Sequence, residues 1–153
     1  MSSTVKRLLT FIIGIPLVLT LAFIPLYNHL FLNILVLGFV IVSACEFYNI
    51  CSKQAVLPPK PLLVAVSLII PIATYVFSLL NINQDLVLWI LIAESLIFMG
   101  AECFTAKTFE NSLKKIGFTV LHLFYVSYLI SFLIRISTLP ENSNYYLGLF
   151  FIQ

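Results

Sequence analysis

Apolar stretches of about twenty residues recur along the chain between short polar breaks, and none alternates strictly between apolar and polar positions. A helical run of that length crosses a hydrocarbon core of ~30 Å, because each residue rises ~1.5 Å. Lipid offers backbone N–H and C=O groups no partner, so spanning segments must be helices or a closed barrel, and the absence of period-two alternation selects helices. The pattern predicts an all-α, polytopic transmembrane helical bundle with five complete spans plus an incomplete sixth, forming a single transmembrane domain. The spans are expected at residues 8–27, 30–51, 62–80, 86–104 and 116–134, with the sixth starting near Tyr145. Between the second and third lies VLPPKP, residues 56–61, whose prolines lack an N–H and restrict their predecessors, so a loop is expected. Pro16, Pro25 and Pro71 fall within or beside spans and read as kinks or ends.

Lysine and arginine set the orientation, since short loops that carry them stay on the cytoplasmic side. Lys6 and Arg7 precede the first span, Lys53 and Lys60 lie between the second and third, and Lys107, Lys114 and Lys115 between the fourth and fifth. The alternate loops contain Asn28 and His29, the stretch from Asn81 to Asp85, and Arg135 as their one basic residue. The N-terminus is therefore expected in the cytoplasm, with a cleavable signal peptide as the weaker alternative. The last run, from Tyr145 to Gln153, has nine residues and as a helix covers only ~14 Å, under half of the hydrocarbon thickness. It would leave a carboxylate inside the membrane, which is costly. The expectation is an N-terminal portion of a larger membrane enzyme whose catalytic half is absent; a tail lying in the interface is the alternative.

Composition adds an exclusion. With 61% hydrophobic and 9% charged residues, against roughly 25% charged in ordinary soluble domains, the chain cannot cover itself with polar surface. The net charge of +2 is spread beside the spans without forming a patch, so no nucleic-acid partner is expected.

Charged residues inside spans cost free energy and normally face protein or a polar cavity, which makes them the candidate functional positions. Glu46 sits near the cytoplasmic end of the second span, in a stripe with Ser43 and Asn49 that should face other helices. It reads either as lining a cytoplasm-facing site or as an interfacial carboxylate paired with Lys53 or Lys60. Glu94 lies midway along the fourth span and Glu102 near its cytoplasmic end; eight residues apart, they are about 80° apart around the axis and can face one cavity. Tyr125, Ser127 and Tyr128 of the fifth span lie at a depth similar to Glu94, and His122 can approach Glu102. A proton-relay or metal-binding cluster and a structural hydrogen-bond network are both open for these residues. A packing histidine is the plainer reading of His122. Cys45, Cys51 and Cys103 have no CxxC spacing and read as packing residues. No phosphate-cradling glycine loop, GxGxxG, HExxH or nucleophile elbow occurs. Residues 104–115, FTAKTFENSLKK, read as a solvated loop or a short amphipathic stretch on the membrane surface.

VKRLLTFIIGIPLVLTLAFIPLYNHLFLNILVLGFVIVSACEFYNI, residues 5–50, resembles the opening of the bacterial phosphatidate cytidylyltransferases: a basic pair, an Ile/Leu/Pro-rich first span and a second span closing on Glu46, Phe47 and Tyr48. LHLFYVSYLISFLIRI, residues 121–136, is similar to a Tyr-containing span that precedes that family's central region. The resemblance implies an enzyme of the bacterial cytoplasmic membrane that joins CTP and phosphatidate into CDP-diacylglycerol and pyrophosphate with Mg²⁺, and it allows a homodimer. It also implies that the metal- and nucleotide-binding signature lies beyond Ile136, so no catalytic, cofactor-binding or metal-binding residue carries over to this chain. The rival expectation is a small multi-span subunit or transporter fragment without enzymatic activity, using Glu94, Glu102 and His122 as an ion path.

Overall fold

A computed structural model describes residues 29–106 and 109–139, together with positions 14, 16, 20, 146 and 147, with residues 109 and 110 described by their backbone alone. Among the described residues every regular element is helical: α1 (Leu30–Cys51), α2 (Lys60–Ser67), α3 (Ile69–Leu79), α4 (Leu86–Thr105), α5 (Phe109–His122), a π-helical turn (Leu123–Tyr128) and α6 (Leu129–Ser137). They make four segments long and apolar enough to cross a membrane: Leu30–Cys51, Lys60–Leu79, Leu86–Thr105 and Asn111–Ser137. These correspond to the second to fifth expected spans. Apart from those five positions, the expected first and sixth spans lie outside the described residues. The last segment is longer than expected at both ends, because lysine, asparagine and serine can continue a helix into the polar zone. Residues from Phe109 onward accordingly belong to α5 rather than to a loop.

The ends of these helices follow from local chemistry. Two prolines, Pro58 and Pro59, carry the chain to α2, where Pro61 occupies the first turn and its missing N–H costs nothing. Pro71 cannot donate to the carbonyl four residues back, that of Ser67, and the helix breaks there into α2 and α3 across Leu68. Asn81 then ends α3 in the left-handed region at φ 53°. The amide of Ile82 bonds the Phe77 carbonyl at 2.8 Å and that of Asn81 bonds Ser78 at 3.3 Å, the paired closure that suits a left-handed asparagine. Asn83 accepts the Asp85 amide at 2.9 Å and starts α4.

Three apolar clusters hold the bundle. Leu32 and Val36 of α1 meet Ile134 and Leu147. Val40 and Ala44 meet Val126. Ile70, Val87 and Leu91 close on Leu123. Two of the three therefore engage the π-helical turn. Lipid tails are as apolar as these side chains, so dispersion and interhelical hydrogen bonds are the main sources of cohesion in such a bundle. One bond of that kind runs from the Ser137 hydroxyl to Oδ1 of buried Asn33 at 3.2 Å, tying α6 to α1. Outward faces carry Trp89, Leu96 and Ile97, as expected for contact with acyl chains.

Because the spans run antiparallel, Lys53, Lys60, Lys114 and Lys115 gather at one end of the bundle, and Arg135 lies toward the other. These are called below the lysine end and the arginine end.

Candidate functional site

The inner face of α4 is a stripe of Val87, Leu91, Glu94 and Glu102, spaced to return to one side of the helix, and it packs on α5 and the π-helical turn. Glu102, near the lysine end, pairs with Lys115 of α5 at 2.6 Å. Beside them a cavity of ≈ 150 Å³ is walled by Pro58, Pro59 and Leu62, with Phe98, Glu102, Lys115 and Thr119 opposite. The ion pair thus edges a groove between the proline loop and the α4–α5 hairpin.

Deeper in the bundle several polar atoms have no hydrogen-bond partner among the described residues. Counting inward from the Glu102–Lys115 pair, Glu94 lies about 12 Å deeper, level with Leu123 of the facing helix. Glu94 is only 7% exposed, and neither carboxylate oxygen has a hydrogen-bond partner. The hydroxyls of Thr119 and Ser127 and Nδ1 of His122 are likewise buried without one. Unsatisfied groups at this density are uncommon in a protein interior.

His122 is held by two other helices. Its Nε2 lies 2.8 Å from the Ser67 hydroxyl, which also reaches the Leu63 carbonyl at 2.7 Å. Since one hydroxyl has one proton, and the carbonyl can only accept it, the imidazole must donate from Nε2, leaving Nδ1 as an acceptor. The ring also stands edge-on to Phe47 of α1 at 5.3 Å between centroids. The frayed helix at Pro71 and the π-helical turn after His122 therefore meet at one point, and π-helical turns concentrate at functional positions. A double-mutant cycle of Ser67→Ala and His122→Phe, followed by thermal unfolding in detergent, is expected to give a coupling energy of about 1 kcal/mol. A coupling of zero would mean the contact contributes nothing.

Several sequence expectations change. His122 bonds Ser67 and Glu102 bonds Lys115, so the expected approach of His122 to Glu102 does not occur; seven residues of helix separate His122 from Lys115. The tyrosines expected near Glu94 do not reach it, and Tyr125 is mostly exposed. The stripe of Ser43, Glu46 and Asn49 turns outward rather than toward other helices: Glu46 and Asn49 are exposed. Lys60 bonds Asn49 at 3.2 Å and lies over Tyr48, and no ion pair of Glu46 with Lys53 or Lys60 occurs among the described residues. Cys51 packs inside and Cys45 partly so, whereas Cys103 is exposed because the inner stripe of α4 passes through Glu102 instead. Ser67 and Thr119 were not singled out by sequence alone, and Lys115 was read only for orientation; a serine four residues before a proline was the available signal for Ser67.

No group of three or more His, Cys, Asp or Glu side chains able to hold a metal occurs among the described residues. Glu94, Glu102 and His122 do not fit Mg²⁺ as a set, since Glu102 is engaged by Lys115 and His122 by Ser67. The metal-binding form of the cluster fails on that geometry.

Among the described residues the architecture is all-helical, with four apolar helices long enough to cross a membrane and several buried polar atoms between them. The model of the cytidylyltransferase family matches residues 5–152, and the chain belongs to that family. Comparison with curated proteins and with solved structures gives no significant match.

Proposed function

We propose that this chain serves CTP:phosphatidate cytidylyl transfer in a bacterial cytoplasmic membrane, with its N-terminus in the cytoplasm, and contributes the lipid-facing scaffold of the reaction. The observation that carries the reading is the family match along nearly the whole sequence. Four membrane-length apolar helices support it, because phosphatidate is confined to the bilayer whereas CTP arrives from water. In the reaction a phosphate oxygen of phosphatidate attacks the α-phosphorus of CTP. A new P–O bond forms, the bond from the α-phosphorus to the β-phosphate bridging oxygen breaks, and pyrophosphate leaves. The groove beside Glu102 and Lys115 lies at the end where the positive-inside rule puts the cytoplasm, and its wall of Pro58, Pro59 and Leu62 suits the glycerol region of a phospholipid. Mg²⁺ is the proposed cofactor; the described side chains do not form its site. The scaffold part of the proposal rests on the resemblance, which assigns no nucleotide-binding residue to this sequence.

Membranes containing the chain and a photoactivatable phosphatidate test both parts. Labelling near residues 58–62 and 98–119 is expected, with unlabelled phosphatidate competing and phosphatidylcholine not. CTP radiolabelled in its α-phosphate is expected to transfer no label to lipid on this chain alone. Equal competition by phosphatidylcholine would remove the phosphatidate assignment. Labelled CDP-diacylglycerol would instead uphold the transfer and remove the scaffold-only part.

A further inference from the structure

At the arginine end, the turn that closes α3 and the last turn of α6 line an open cavity of ≈ 500 Å³ whose polar lining is Ser78, Asn81, Gln84, Arg135 and Thr138. Its size is that of a small-molecule pocket, roughly 300–1,000 Å³. Arg135 is half-buried in it. One guanidinium N–H donates from Nη2 to the Gln84 carbonyl at 2.7 Å, and the guanidinium lies over the Phe132 ring at 5.2 Å. Its Nε is buried with no acceptor. No acidic side chain among the described residues pairs with it; Asp85, next to Gln84, is exposed and forms no ion pair with Arg135.

Gln84 adds a second demand. Its Nε2 donates to the Thr74 carbonyl at 3.2 Å, which fixes the direction of the amide, and leaves Oε1 buried without a donor. Arg135 and Gln84 both line the cavity, the first with guanidinium donors to spare and the second with a buried acceptor that has no donor. A phosphate fits the first, because the planar guanidinium donates to two phosphate oxygens at once. A hydroxyl or primary ammonium fits the second. Both groups occur together in a phosphodiester headgroup, and the cavity sits at the ends of two membrane-length segments, with exposed Leu79, Leu80 and Leu139 on adjoining turns to meet acyl chains.

We propose that this cavity binds the headgroup of a membrane phospholipid, its phosphate on Arg135 and a headgroup hydroxyl or ammonium on Gln84 Oε1. The site takes phosphatidylglycerol or phosphatidylethanolamine and disfavours phosphatidylcholine, whose quaternary ammonium has no N–H to donate. It does not depend on the cytidylyl-transfer reading, since it lies at the opposite end of the bundle from the Glu102–Lys115 groove.

The test uses the chain in nanodiscs of phosphatidylcholine doped with phosphatidylglycerol or phosphatidylethanolamine carrying a photoactivatable headgroup, with labelled peptides mapped by mass spectrometry. Label on residues 77–84 and 135–139 is expected, falling about tenfold in Arg135→Gln, the equivalent of one lost charge-assisted contact. Gln84→Met is expected to erase the preference over a phosphatidylcholine probe while leaving the charge-dependent binding. Inorganic phosphate in excess is expected not to displace the label; displacement would reassign the site to free phosphate and overturn the lipid proposal. Unchanged labelling in Arg135→Gln, or a phosphatidylcholine probe that labels wild type equally, also overturns it. If Arg135→Gln does not fold, the wild-type map and Gln84→Met decide, and no label at either segment rejects the site.

Discussion

Lys115→Met is expected to destabilise the bundle by about 1–3 kcal/mol, because it leaves the buried Glu102 carboxylate with the Ser112 hydroxyl in place of an ammonium partner. Glu102 is 8% exposed, and its ion pair is to Lys115 at 2.6 Å. The reverse change, Glu102→Gln, is expected to cost far less. The Lys115 side chain is 28% exposed, and its flexible stem can swing the ammonium out to water once the carboxylate is gone. The exchange Glu102→Lys with Lys115→Glu is expected to recover most of the loss, because the two positions face each other across a fixed hairpin. Thermal unfolding of the three variants in one detergent measures the asymmetry. Equal losses for Lys115→Met and Glu102→Gln would show that the pair is too hydrated to matter.

The opposite sign is expected at Glu94. Both oxygens of this carboxyl are buried without a protein partner, so Glu94→Leu is expected to raise stability by about 2–3 kcal/mol by removing an unsatisfied polar group. Glu94→Gln should change stability less, since the amide retains the same demand for partners. Proteins tolerate a destabilising group of this sort where it serves function. In the phosphatidate-labelling experiment, then, Glu94→Leu is expected to give a more stable bundle with weaker labelling. A loss of stability in Glu94→Leu would mean that the carboxyl has a partner after all. A gain in stability with labelling unchanged would leave Glu94 without a role in lipid binding.

The helices were legible because their signal is local. Each spanning run announces itself by length and apolarity, and the breaks at Pro58, Pro59 and Asn81 follow from backbone chemistry that any context must respect. The stripe on α4 was legible for the same reason: helical spacing alone brings Glu94 and Glu102 to related faces. The face chosen by α1 was not. Ser43, Glu46 and Asn49 form a polar stripe by count, yet the apolar residues Val36, Val40 and Ala44 took the inner side, where they pack against Ile134 and Val126. In a chain this apolar, each helix has more than one face fit for burial, so polarity along a single helix decides little.

By itself, then, the sequence determined that this is a helical chain of membrane-length segments, in which direction the lysines bias it, and which few polar groups must be buried at a cost. Which of those groups meet was decided only in three dimensions. His122 goes to Ser67, 55 positions away, and Glu102 goes to Lys115, while Glu94 is left with neither. Helix formation satisfies the backbone within each segment and is written locally. Partner choice depends on the rotation and depth at which helices pack, and here a π-helical turn and a proline break shift both in ways that regular periodicity does not encode.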